Sequence, residues 1–157
     1  MIRFAADSLD EQSIRRTCFA TRLCKATAMN HRTVLRSAGI SGAIGVGLGA
    51  FGAHGLRDVL LASGMANAWE TGVRYHLLHA VGLFCTALWL RQTESRRSKL
   101  LGWVAGSWIA GTVLFSGSLY ALALGGPRWF GPITPLGGVA FIAGWILLVV
   151  LASEEKE

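Results

Sequence analysis

Residues 129–153 read WFGPITPLGGVAFIAGWILLVVLAS, 25 residues without Asp, Glu, Lys or Arg. A helix needs about 20 mostly apolar residues to cross a hydrocarbon core of roughly 30 Å. This stretch is therefore long enough to span a membrane. Three more uncharged stretches precede it: 20 residues between Arg36 and Arg57, 16 between Arg74 and Arg91, and 28 between Lys99 and Arg128. The chain reads as all-α, an integral membrane four-helix bundle with helices expected at 37–54, 73–90, 100–124 and 133–152.

The whole-chain numbers agree. The 157 residues hold one domain. They are 52% hydrophobic and 15% charged, against about 25% charged in an average soluble domain. The net charge of +6 is unevenly placed: seven of the 15 basic residues lie at or before Arg36, and four more run from Arg91 to Lys99. Cytoplasmic segments of membrane proteins carry that bias. Nucleic acid is excluded as a partner, because its binding sites interleave aromatics with basic residues on an exposed face. Here five of the six Trp lie in or beside apolar segments, with Trp69 in a loop. Cys18, Cys24 and Cys85 show no CxxC spacing, so neither a disulfide framework nor a zinc site is indicated. Cys85 reads as a small buried hydrophobe.

Residues 1–33 are expected to form a basic, poorly ordered N-terminal extension, 34–152 the transmembrane domain, and 153–157 an acidic tail. Ser8-Leu9-Asp10-Glu11 resembles a capping box opening a short helix to about Ala28. No apolar run precedes the charges, which excludes a cleaved secretory signal, and Asp7, Asp10 and Glu11 argue against a transit peptide. Met29-Asn30-His31-Arg32 suits an alternative start, making residues 1–28 an extension or the product of a misplaced start codon. Loops 55–72 and 125–132 carry two and one basic residues (Arg57 and Arg74 at the borders of the first, Arg128 in the second), fewer than the segments before helix one and between helices two and three. Basic loops stay inside, so both termini are expected in the cytoplasm of a bacterial inner (plasma) membrane. Trp69, Trp89, Trp103, Trp129 and Tyr75 fall near expected helix ends, as an interfacial aromatic belt would.

Small residues at four-residue spacing let helix backbones approach closely. Ser41, Gly45, Gly49 and Ala53 form such a ridge on helix one, and Gly102, Gly106 and Ala110 form one on helix three. Helices one and three are therefore expected near the bundle centre, with Gly137 and Gly138 allowing close contact of helix four. Residues 47–52, GLGAFG, match GxGxxG. The dinucleotide fingerprint also needs a βαβ unit, which nothing in this chain supplies.

Ionisable groups within a membrane are costly and need a partner or a purpose. His54 closes helix one, while His76 and His79 begin helix two and lie three apart, on one face. Together they could form a metal site, since imidazole binds zinc, copper or iron, or a proton relay. No intramembrane carboxylate supports either, and a histidine near a helix end can simply hydrogen-bond backbone or water. The structural role is preferred, with no metal and no cofactor. Glu70 and Arg74 are four apart and pair if their helix starts early. Ser116 and Ser118 lack a base to act as nucleophiles and are expected to bond across helices. Thr134 is placed to cap helix four, with Pro135 in its first turn. Pro135 with two glycines could also break a helix as transporters do, but no inverted repeat accompanies it.

The segments GAFGAHGL (49–56), WETGVRYH (69–76) with His79-Ala80, FSGSLY (115–120), ITPLGG (133–138) and Gly144-Trp145 occur in order. As a set they resemble the domain of unknown function 423 family, YgdD-like small inner-membrane proteins with the eukaryotic transmembrane protein 256 as a relative. The likeness covers roughly residues 34–152. It implies a small multi-pass protein of the bacterial plasma membrane with no established activity, and it supplies no catalytic residues. The chain departs from the family pattern at His76, where the family more often has Gln, and in its first 28 residues. The swap weakens a metal site built on His76. The expected function is a non-enzymatic accessory or packing component of the cytoplasmic membrane, in contact with lipid and with a membrane-protein partner or further copies of itself. The alternative is a small oligomeric transporter or channel with His54, His76, His79 and Glu70 near its outer mouth.

Overall fold

The computed structural model describes residues 29–93 and 96–153. The expected helix within residues 8–28 and the tail at 154–157 lie outside the described residues, as does most of the extension. The described residues form helices and turns, with no strand among them. Helix α1 spans His31–Ala53. Its start precedes the expected residue 37 because Asn30 caps it: the Asn30 side chain accepts the Arg32 N–H at 3.3 Å. A short helix α2, Arg57–Ala62, follows, and α3 runs Ala66–Gln92. Helix α4, Arg96–Gly111, passes through a π-helical turn at Thr112–Ser116 into α5, Gly117–Ala123. After a 3-10 turn at Arg128–Phe130, α6 spans Ile133–Ser153.

The segment expected as loop 55–72 is therefore mostly helical. Trp69 is not a loop residue: it is buried inside α3, while Glu70 and Arg74 point outward. Their charges ended the apolar window too early. The four long helical stretches have 23, 27, 27 and 26 residues, each beyond the length needed to span.

Two glycines end helices by adopting the left-handed conformation. Gly64 has φ 69° and Gly125 has φ 82°. At each, paired backbone bonds run back into the helix: Met65 N–H to Leu60 and Gly64 N–H to Leu61, then Gly126 N–H to Ala121 and Gly125 N–H to Leu122. This double bond is the Schellman arrangement, which glycine favours. Gly125→Ala is expected to cost about 1–2 kcal/mol, the steric penalty of a left-handed Cβ, read as a lower Tm in detergent.

Helix α1 packs along α3, and α4 along α6; the two pairs meet where α3 lies against α4, the π turn and α5. The second and third spans bury more of their length than the first and fourth. The expectation that helix one is central is thus corrected: helices two and three are. Helix one carries glycine all around its circumference, so composition does not reveal which side packs. Gly39, Gly42 and Gly47 have open space beside them.

One apolar cluster joins all four spans near the described chain ends, through Val34, Leu90, Leu101, Trp108, Phe141 and Leu151. A second, around Leu60, Trp69 and Ala123, holds the opposite end. The outer surface carries Ile40, Val46, Val81, Phe84, Val139 and Val149, all exposed. An apolar belt this extensive suits lipid and not water. Cys85 lies on the outside too, not buried as expected.

The helix-one ridge is used at Gly45 and Gly49: a Cβ on Gly45 would come 2.7 Å from Leu77 Cδ2, and one on Gly49 3.3 Å from Val73 Cγ1. Ser41 continues it, half-buried. Ala53 does not, being exposed. Four-residue steps overrun a 3.6-residue turn by about 40° each, so the seam moves to Gly52, which accommodates Trp69. The helix-three ridge is also corrected. Gly106 has open space beside it, Ala110 is exposed, and Gly102 lies only beside Met29 at 3.5 Å. The contact is made by Trp108, seated between Gly82 of α3 and Gly144 of α6, and by Gly111 against Phe141. Gly137 fits tightly on Phe115, while Gly138 is looser, 3.8 Å from that ring.

Candidate functional site

His79 is 1% exposed. Its ring stacks on Phe141 at 3.6 Å between centroids and meets the edge of Trp108 at 5.7 Å. Trp145 Nε1–H donates to His79 Nε2 at 3.3 Å. An indole nitrogen only donates, so Nε2 carries the lone pair and Nδ1 the proton. Nδ1–H then donates to the Tyr75 carbonyl at 2.8 Å. Both ring nitrogens are engaged, and the imidazole is neutral by this bonding. It ties α3 to α6.

His76 faces elsewhere. Its Nδ1 lies 3.3 Å from the Tyr120 hydroxyl, and its ring packs beside Gly45 of α1. Tyr120 also packs on Trp69, 4.8 Å between centroids, and Trp69 Nε1–H donates to the Leu48 carbonyl at 3.1 Å. His76 thus bonds α3 to α5. Glutamine offers a donor and an acceptor on one amide. His76→Gln is therefore expected to change stability by less than about 1 kcal/mol, whereas His76→Leu, which strands the Tyr120 hydroxyl, costs about 1–3 kcal/mol. Urea titration in detergent distinguishes the two.

His54 is exposed at the end of α1. Among the described residues no three His, Cys, Asp or Glu side chains come together, so the three histidines do not form one cluster. Glu70 and Arg74 do pair, at 3.4 Å on the exposed side of α3. Such a pair contributes only about 0.3–0.5 kcal/mol. The pair borders a cavity between α1, α2 and α3.

Ser118 and Thr134 meet at 2.7 Å across the α5–α6 contact, and Ser118 Oγ–H donates to the Phe115 carbonyl at 2.9 Å. Thr134 is inside the first turn of α6 and is not its cap; its hydroxyl serves Ser118 instead. Ser116 is fully buried in the π turn, and its hydroxyl has no partner among the described residues. Sequence reasoning gave no role to Trp108 and Phe141, and took Tyr120 and Trp145 only as part of the family pattern, yet all four surround the histidines. Their position deep within uncharged stretches, away from the interfacial belt, was the available signal.

A sequence profile described as "Protein of unknown function (DUF423)" matches residues 48–138. The chain belongs to this family. It is 47% identical over 114 residues to the UPF0382 membrane protein YwdK of Bacillus subtilis, covering 72% of this chain and 89% of that one. It is 43% identical over 129 residues to the UPF0382 inner membrane protein YgdD of Escherichia coli, covering 82% and 95%. A UPF0382 membrane protein of Staphylococcus epidermidis is 47% identical over 105 residues, covering 67% and 82%. No solved structure matches. The relatives' names and the four apolar helices agree: this is a multi-pass membrane protein of an uncharacterised family.

Proposed function

We propose that the protein is a non-enzymatic accessory component of the bacterial cytoplasmic membrane, with both termini in the cytoplasm. One observation carries this reading. Among the described residues His79 is buried inside an aromatic enclosure, with Nδ1 bonded to its own helix at Tyr75 and Nε2 to Trp145 of α6. That leaves it no lone pair for a metal and no face for a substrate. His76 and Ser118 likewise bond between helices. Such groups fix a bundle's shape. The basic residues before α1 and from Arg91 to Lys99, where α3 meets α4, support this orientation.

Native mass spectrometry of the protein released from its own membrane in mild detergent tests the reading. A stoichiometric foreign protein supports it; consistent isolation without one overturns it. The second reading, a small oligomeric transporter, draws on the cavity beside Glu70 and Arg74. Substrate flux in proteoliposomes, lost in Arg74→Ala, is its expected result.

A further inference from the structure

The cavity between α1, α2 and α3 has a volume of about 590 Å³, within the range of small-molecule sites. Its walls are apolar or small, with Gly49, Gly52 and Trp69 among them, while its charges are Arg57, Glu70 and Arg74. Two guanidinium groups face one carboxylate, an excess of one positive charge. Arg57 has no hydrogen bond or ion pair among the described residues, and the Arg74 bond to Glu70 is long, at 3.4 Å. Arg57 is free to take up an anion, and Arg74 lines the same cavity while paired with Glu70.

The neighbouring helix α2 places this cavity in depth. It bears Arg57 and Asp58 beside Val59 and Leu61, which are 56% and 59% exposed. A short helix with charged and exposed apolar residues, joining two spans, suits the level of the lipid headgroups. A free inorganic anion would use the arginines and leave the apolar wall against water. A polar solute would desolvate against Trp69 and the glycines without gain. An amphiphile with a phosphodiester head satisfies both parts, since guanidinium matches phosphate oxygens in paired hydrogen bonds.

We propose that this cavity holds one membrane phospholipid, its phosphate on Arg57 and Arg74 and the upper part of an acyl chain against Gly49, Gly52 and Trp69. Glu70 positions the Arg74 guanidinium at the rim. The site is independent of the accessory reading, because a retained lipid accords with an isolated or a partnered protein.

The test is native mass spectrometry of the full chain in detergent micelles doped with phosphatidylglycerol. The wild type is expected to retain one phospholipid. Arg57→Gln is expected to lower the bound fraction about tenfold, the scale of one lost charge-assisted hydrogen bond, with Tm unchanged because Arg57 is exposed. Ala53→Phe keeps both arginines and fills the cavity that Ala53 lines, so it is also expected to lose the lipid. Excess glycerol phosphate, a headgroup without chains, is expected not to displace it. Displacement by glycerol phosphate, unchanged retention in either variant, or no lipid on the wild type overturns the proposal.

Discussion

His79→Ala is expected to lower unfolding free energy by about 3–5 kcal/mol, near the upper end for truncating a large buried side chain. Two effects add. Removing the ring leaves a void against Phe141, which stacks on it at 3.6 Å, and against Trp108. It also strands Trp145 Nε1–H, whose acceptor is His79. The polar part is the smaller: hydrogen bonds between membrane helices average about 0.6 kcal/mol, because the unfolded chain in lipid also finds partners. Trp145→Phe should therefore cost far less than His79→Ala, and a double-mutant cycle isolates the shared bond. His54→Ala is the control. His54 is exposed, and surface changes usually stay within about 0.5 kcal/mol. Thermal unfolding in one detergent compares all three. A His79→Ala effect as small as that of His54→Ala would remove the structural assignment and return the histidine to the transport reading.

The spans were legible because absence of charge over a fixed length is a local property of the chain. The segment 55–72 was not, because Glu70 and Arg74 sit on the outer side of a helix whose inner side already buries Trp69 and Gly72. An apolar window averages over both sides and stops at the charge. The packing glycines were partly legible. Gly45, Gly49 and Gly137 make close contacts as expected, but Gly82, Gly111 and Gly144 depend on which bulky ring stands opposite, Trp108 or Phe141. That information resides in another helix. The histidines show the same limit. Three residues advance a helix by about 300°, so positions 76 and 79 differ by about 60° in direction. This is enough to send His79 to α6 and His76 to α5.

Gly137→Val is expected to destabilise the bundle by about 3 kcal/mol, the upper end of ordinary overpacking. A Cβ at Gly137 would meet the Phe115 backbone, with Phe115 Cα at 2.7 Å. The identity of the obstructing atoms decides the size of the effect. At Gly45 the nearest atom is Leu77 Cδ2, also at 2.7 Å, but that is the tip of a flexible side chain and can rotate away. Phe115 is part of the π turn at Thr112–Ser116, whose backbone is held by the Gly117 N–H bond to the Thr112 carbonyl. Relief requires α6 to move off α4 and α5, which would open the Ser118–Thr134 bond and the Trp108 seat in Gly144 together. Gly138→Val is the matched comparison, one residue along the same helix with its nearest neighbour at 3.8 Å. There the added side chain meets no backbone, and helix propensity favours valine over glycine. A large loss of Tm at 137 and little at 138 would show that α6 is seated through one glycine on the π turn. Equal effects at both positions would mean that the close approach is absent in the membrane.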